Sequence, residues 1–229
     1  MNKFIWILAF ALIMASCNSF KPPGTLDLPE NNDRFLDRGE VTNFAWYEYV
    51  SWMQNEHGPN SQEFLQAIPD TNLWLEAYHG PVIMSEEFED HPVVGITYEQ
   101  AQDFCEWRSR LVSKRFEKNV TYQLPEEEDY EYAYQNYSPS NGENLYSVRP
   151  NLVRRYVFPR FIGLFNNAAE MTQERGIAIK GVNEEGEPET VPYKGPDNNL
   201  SFRCIAIVEE EEENDDEGEE EQETEEASP

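Results

Sequence analysis

Residues 91–107 read HPVVGITYEQAQDFCEW. Thr97 and Gln100 stand three apart at the head of an apolar-periodic run, the pattern in which each residue's side chain satisfies the other's backbone N–H at a helix start. Ala101, Phe104, Cys105, Leu111 and Val112 then recur on one helical face, which predicts a core-facing helix. The short apolar run Pro92 to Ile96, just before the cap, reads as a strand.

Working outward from that helix, Thr42 and Asn43 are caps for a second helix over about 43–56, with Phe44, Tyr47, Val50 and Met53 at helical spacing. Between the two, residues 57–92 are rich in Gly, Pro and Asn, with apolar islands such as Leu73 to Leu75, and read as irregular connections. Downstream, Tyr122 to Leu124 leads into Pro125, placed where a first helical turn tolerates proline, and Glu126 to Glu128 complement the helix dipole. Tyr130, Ala133, Tyr134 and Tyr137 give this third helix a buried stripe. From there to Val208 short apolar runs alternate with turns, and no internal repeat is evident. The class is α+β with much irregular structure.

Composition is consistent with one domain. Aromatic residues make up 13% of the chain, enough for a core although the mean hydropathy is −0.73. Much of the hydrophilicity sits at the end, EEEEENDDEGEEEQETEEASP over 209–229, whose 14 acidic residues carry half of the formal net charge of −28. Such a segment cannot fold alone. It reads as a solvating tail or as a weak multivalent site for divalent cations or a basic partner. The remaining domain is still acidic, so nucleic acid and anionic lipid are excluded as partners.

The amino terminus has the form of a signal peptide over residues 1–16: Lys3, the apolar run Phe4 to Ala15, then Ser16 before Cys17. The apolar run is shorter than the ~20 residues that cross ~30 Å of hydrocarbon. Ile13, Met14, Ala15, Ser16 and Cys17 resemble the bacterial lipoprotein signal, with Met14 where leucine is usual. That resemblance implies that Cys17 is acylated and becomes the first residue of the mature chain, anchoring it in a membrane. The competing reading is an ordinary signal peptide with an incidental cysteine. Asn18 is not an inner-membrane retention signal, so the expected location is the cell envelope, lipid-anchored at the outer membrane. Residues 17–32, polar with Pro22, Pro23, Gly24 and Pro29, read as a tether. The folded domain is expected over 33–208 and a disordered acidic tail over 209–229.

Four segments in order, FLDRGEVTNFAWYEYVSW (35–52), HPVVGITYEQAQDFCEW (91–107), YQLPEEEDYEYAY (122–134) and the pair NNAAEMT (166–172) with NNLSFRCI (198–205), resemble the sulfatase-modifying-factor domain. This is the domain of formylglycine-generating enzymes and of several gliding-motility lipoproteins. The resemblance implies a C-type-lectin-like α+β fold with little regular structure. It also gives structural roles to Glu40 through Asn43 at the start of the first helix, and to Tyr130, which stands where the family usually has tryptophan. In the family a cysteine on the second helix is often bonded to the one in the terminal GFRC-like motif, here SFRC. The resemblance therefore implies a disulfide between Cys105 and Cys204, in keeping with an oxidising compartment.

The same resemblance tests the chemistry. Formylglycine formation uses a further cysteine pair that holds copper, a task for soft thiolates. The corresponding interval, Gly181 to Ser201, has no cysteine. Iron-dependent members use histidine ligands, whereas His57, His79 and His91 are widely separated and form no HxxxH or HxH motif. Calcium is the remaining cofactor implied: Glu170 matches a family carboxylate and Asn144 an asparagine ligand, although Gly163 stands where an asparagine or aspartate is usual. The expected function is a non-catalytic pseudoenzyme, a binding or scaffold lipoprotein whose partners are envelope proteins or glycan, in gliding motility or associated secretion. The alternatives are a metal-dependent enzyme of the same superfamily or a glycan-binding lectin-like module.

Overall fold

The computed structural model describes residues 20–28, 31–78, 86, 88–137, 161–165 and 167–209. The signal peptide, Cys17, His79, Asn144 and all of the acidic tail beyond Glu209 lie outside the described residues.

The domain begins earlier than the boundary expected at residue 33. Thr25, Leu26, Asp27 and Leu28 alternate with the period of a half-buried strand, and they form β1 (Thr25–Leu28), antiparallel to β2 (Asn31–Asp37). Leu26 and Leu28 are buried, so the second half of the expected tether 17–32 is part of the fold. Flanking prolines made this short strand look like linker.

With β3 (Val120–Gln123) and β8 (Ile205–Val208), these strands form an antiparallel sheet in the order β1-β2-β8-β3. Strands distant in sequence are thereby neighbours, with Leu36 opposite Ile205 and Arg34 opposite Ile207. A second sheet has the order β6-β5-β4-β7 and is built from β4 (Ala169–Met171), β5 (Ile177–Val182), β6 (Pro188–Pro192) and β7 (Leu200–Ser201); only β4 and β7 pair in parallel.

Helix α1 (Asn43–His57) starts at Thr42, whose hydroxyl accepts from the Ala45 N–H at 3.2 Å. Half of the expected stripe holds, Met53 buried and Val50 packed half-buried against the core, and half is out of phase. Phe44 is 50% and Tyr47 38% exposed, while Asn43, Trp46, Tyr49 and Met53 are buried. Aromatic residues surround this helix, and periodicity could not choose among them. Packing chooses Trp46, whose indole N–H also reaches the Ala67 carbonyl at 3.1 Å. The described residues of 57–92 hold two short helices rather than only connections, α2 (Gln62–Gln66), capped by Ser61, and α3 (Thr71–Tyr78). Pro92 to Ile96 is a buried irregular run and not a strand; Thr42 and Pro92 form an isolated bridge there. Gly95 in this run has φ +72°, and a Cβ would lie 2.7 Å from the Asp70 carbonyl oxygen, so only glycine fits.

Helix α4 (Tyr98–Phe116) carries both halves of the capping box, Gln100 N–H to Thr97 Oγ1 at 3.1 Å and Thr97 N–H to Gln100 Oε1 at 2.7 Å. Ala101, Phe104, Cys105 and Val112 are buried as expected, but Leu111 is 38% exposed and Trp107 takes the buried position instead. In α5 (Glu127–Asn136) Pro125 precedes the cap residue Glu126 rather than entering the first turn, and Asp129 accepts from the Glu126 N–H. Tyr130, Ala133 and Tyr134 are buried; Tyr137 lies past the helix end, half-buried, with its ring against Phe161.

Two apolar centres result. One gathers Trp46, Tyr49, Phe104, Trp107 and Phe202, with Trp46 stacked on Phe104 at 5.5 Å. The other lies under α5, where Tyr130 and Tyr134 meet Leu28, Leu36 and Ile205. Cys105 of α4 is bonded to Cys204, just before β8, with Cα atoms 6.4 Å apart and a sequence separation of 99. Closing a loop of that length stabilises by up to ~4–5 kcal/mol in the chain-entropy account. Among the described residues no helix is long and apolar enough to cross a membrane.

Candidate functional site

Arg203 stands between Phe202 and Cys204 in SFRCIAI (201–207), and its side chain is fully buried. A guanidinium in such a place needs opposite charge and full hydrogen bonding. Its Nε and Nη2 take the two carboxylate oxygens of Glu170 on β4, the latter at 2.6 Å from Oε1. Nη1 donates to the Asp37 carbonyl at 3.0 Å and Nη2 to the Ile162 carbonyl at 3.2 Å. Tyr130 donates its hydroxyl to Glu170 Oε2 at 3.0 Å.

Glu40 completes this cluster. Its Oε2 lies 3.9 Å from Arg203 Nη2, and its Oε1 accepts from Asn167 Nδ2 at 2.6 Å. Two carboxylates then share one cation in the interior. Burial, followed by repulsion from Glu170, raises the Glu40 carboxyl from 4.5 to about 7. Burial alone would lower the Arg203 guanidinium, but Glu170 more than offsets this and holds it above its ordinary range. The Tyr130 hydroxyl is likewise pushed well up by burial and by Glu170. Gly163 has φ +70°, and a Cβ there would lie 2.5 Å from Glu40 Oε2. A side chain at 163 would therefore displace the Glu40 carboxylate, which gives a physical reason for glycine where a polar residue was expected.

Asp37, at the end of β2, connects this interior cluster to a cleft. Its backbone N–H donates to the Cys204 carbonyl at 2.9 Å, and its Oδ2 accepts from the Cys204 N–H at 3.0 Å and from Arg108 Nη1 at 2.5 Å. The Arg108 guanidinium lies 4.2 Å over the Tyr122 ring. The cleft, about 390 Å³, is bordered by Asp37, Glu40, Glu48, Asp90, Trp107 and Arg108, among others. Three buried polar atoms of its lining have no partner among the described residues: Asp37 Oδ1, Asn167 Oδ1 and Trp107 Nε1.

The donor set decides what chemistry is available. Both described cysteines are consumed by their mutual bond, so the residues present do not fit a copper ion held by thiolates. Glu170, the carboxylate singled out for calcium, spends both oxygens on Arg203, which leaves little charge for a dication. Its suggested companion Asn144 is outside the described residues. His57 ends α1 and His91 lies in the turn before Pro92, and among the described residues no three His, Cys, Asp or Glu side chains gather as metal ligands. Sequence reading treated Glu40 as a helix-start residue and did not single out Arg203, Asp37 or Arg108. A lone arginine inside an apolar run was the available signal for the first of these.

The sequence model of the sulfatase-modifying factor enzyme 1-like domain matches residues 18–157, more than half of the chain. No curated protein sequence matches it. Among solved structures, the chain is similar to the crystal structure of CarF, with 11% identity and a TM-score of 0.44, covering 77% of this chain and 87% of that one. It is also similar to PvdO from Pseudomonas aeruginosa, with 13% identity and a TM-score of 0.41, covering 76% and 80% respectively. Residues 35–52, 91–107 and 122–134, which carry the resemblance in sequence, fall within the matched region, and the chain belongs to the sulfatase-modifying factor enzyme 1-like family, with an α+β fold of that type.

Proposed function

We propose that the protein is a non-catalytic lipoprotein of the cell envelope, anchored at the outer membrane through Cys17, whose domain serves as a binding or scaffold component in gliding motility or associated secretion. The observation that carries this reading is how the reactive side chains are spent. Cys105 and Cys204 hold each other, and Glu170 is neutralised by Arg203, while the cleft beside them keeps unpartnered polar atoms. Such a domain is equipped to hold a partner rather than to transform one.

Two measurements test it. Affinity capture of the full chain from envelope membranes, against a Cys17→Ser control that lacks the acylation site, is expected to enrich an envelope protein or glycan; return of nothing above background would overturn the scaffold role. Elemental analysis of natively purified protein is expected to find no stoichiometric copper or iron. Finding either would replace the scaffold with a metal-dependent enzyme of the same superfamily.

A further inference from the structure

The cleft between the end of β2, the start of α1 and the middle of α4 has a composition that selects among ligands. Asp37, Glu40, Glu48 and Asp90 line it, against the guanidiniums of Arg38 and Arg108. Glu40 is turned to Arg203 and Asn167, and Arg108 is committed to Asp37 and to the Tyr122 ring, so the charge left at the opening is that of Glu48 and Asp90 against Arg38, negative by one. Asp37 is 4% exposed, yet its Oδ1 has no partner among the described residues, and the same holds for the Trp107 indole N–H in a residue 8% exposed. A buried acceptor and a buried donor left unsatisfied each cost about 1–3 kcal/mol, which a ligand supplying both partners would recover. The apolar part of the wall comes from Phe104 and Val112.

We infer that this cleft receives a lysine or arginine side chain of a protein partner. This rests on the binding role proposed above and names the chemistry of that partner. The cation meets the carboxylates, its methylene stem lies along the apolar wall, and a main-chain carbonyl of the partner accepts from Trp107 Nε1. A sugar is the poorer fit. The Trp107 ring is packed against Tyr49 and Phe104 with centroids 5.4 Å away in each case, so it presents no open face for stacking.

The test follows the indole N–H resonance of Trp107, assigned with Trp107→Phe, in the full chain titrated with an acetylated Gly-Lys-Gly-Lys-Gly amide. A saturable shift is expected, weakened about five-fold or more in the Glu48→Gln, Asp90→Asn double variant, which leaves the interior cluster intact. The inference is overturned if the resonance does not move at millimolar peptide, if the double variant responds like the parent, or if a neutral oligosaccharide moves it and the peptide does not. Each of these outcomes leaves the capture experiment free to succeed, so failure here is separable from failure of the scaffold reading.

Discussion

Arg203 and Arg108 are both guanidiniums tied to Asp37, one through its carbonyl and the other through its carboxylate, yet they end in opposite conditions. Arg203 is sealed. Its Nε, Nη1 and Nη2 all donate to protein oxygens, two carboxylates face it, and its side chain has no exposure. Arg108 keeps 18% of its side chain exposed at the cleft, and the aspartate it holds has an oxygen to spare. Closure marks the first as part of what folds the domain. Incompleteness marks the second as part of what the domain presents. Asp37 divides the two.

The largest way to break this contrast is to cut the bond that fixes Cys204 beneath both centres. Replacing Cys105 and Cys204 by alanine is expected to cost up to about 4–5 kcal/mol in urea unfolding, with loss of cooperativity if residues 201–208 detach. Next comes Arg203→Met, which leaves Glu40 and Glu170 facing each other in the interior; a loss of about 3–5 kcal/mol is expected, against only about 1–2 kcal/mol for Arg108→Met, where Asp37 keeps the Cys204 N–H and the vacated space opens onto the cleft. Equal losses at the two positions would erase the distinction between a sealed and an open centre.

A third prediction uses protons. Folded Glu40 keeps its proton to about pH 7, whereas unfolded it ionises near 4.5. The folded state therefore binds more protons in that window, and stability falls as pH rises from about 4.5 to about 7, by up to ~3 kcal/mol, then levels off. Glu40→Gln should flatten this slope. A slope that survives the substitution would overturn the assignment of this proton to Glu40. Smallest is Thr97→Ala, which removes one half of the α4 capping box away from both arginines and should cost about 1 kcal/mol with no change in the pH slope.

What was legible in the sequence was local. Thr97 with Gln100 and Thr42 with Ala45 sit within a single turn, and their side chains behave in the fold as their spacing demands. The face of α1 was not legible, because Phe44, Trp46, Tyr47, Tyr49 and Trp52 leave almost no polar side from which to judge phase. The helices α2 and α3 are short and set among turn-forming residues, so periodicity had too few residues to work on. The central cluster was beyond reach for a different reason. Glu40, Glu170 and Arg203 meet only once β2, β4 and the strand following Cys204 are in place, and Glu170 alone looks the same whether its partner is a guanidinium or a calcium ion. The alternation of helices and short apolar runs gave the α+β class, while the family form of the fold and the cysteine pairing came only with the resemblance, because no local pattern encodes them.

The order of the first sheet also sets a direction of travel. β1 runs antiparallel to β2, with Thr25 beside Asp37, and β8 runs antiparallel to β2, with Ile207 beside Arg34. The chain thus enters this sheet at one end and leaves it at the other. Before β1, however, the chain turns back along α4, and the ring of Phe20 packs on Phe116 with centroids 5.3 Å apart. The run of 14 carboxylates begins at Glu209, whose N–H donates to the Asn119 carbonyl at 3.1 Å, so the two ends of the described chain meet near the close of α4.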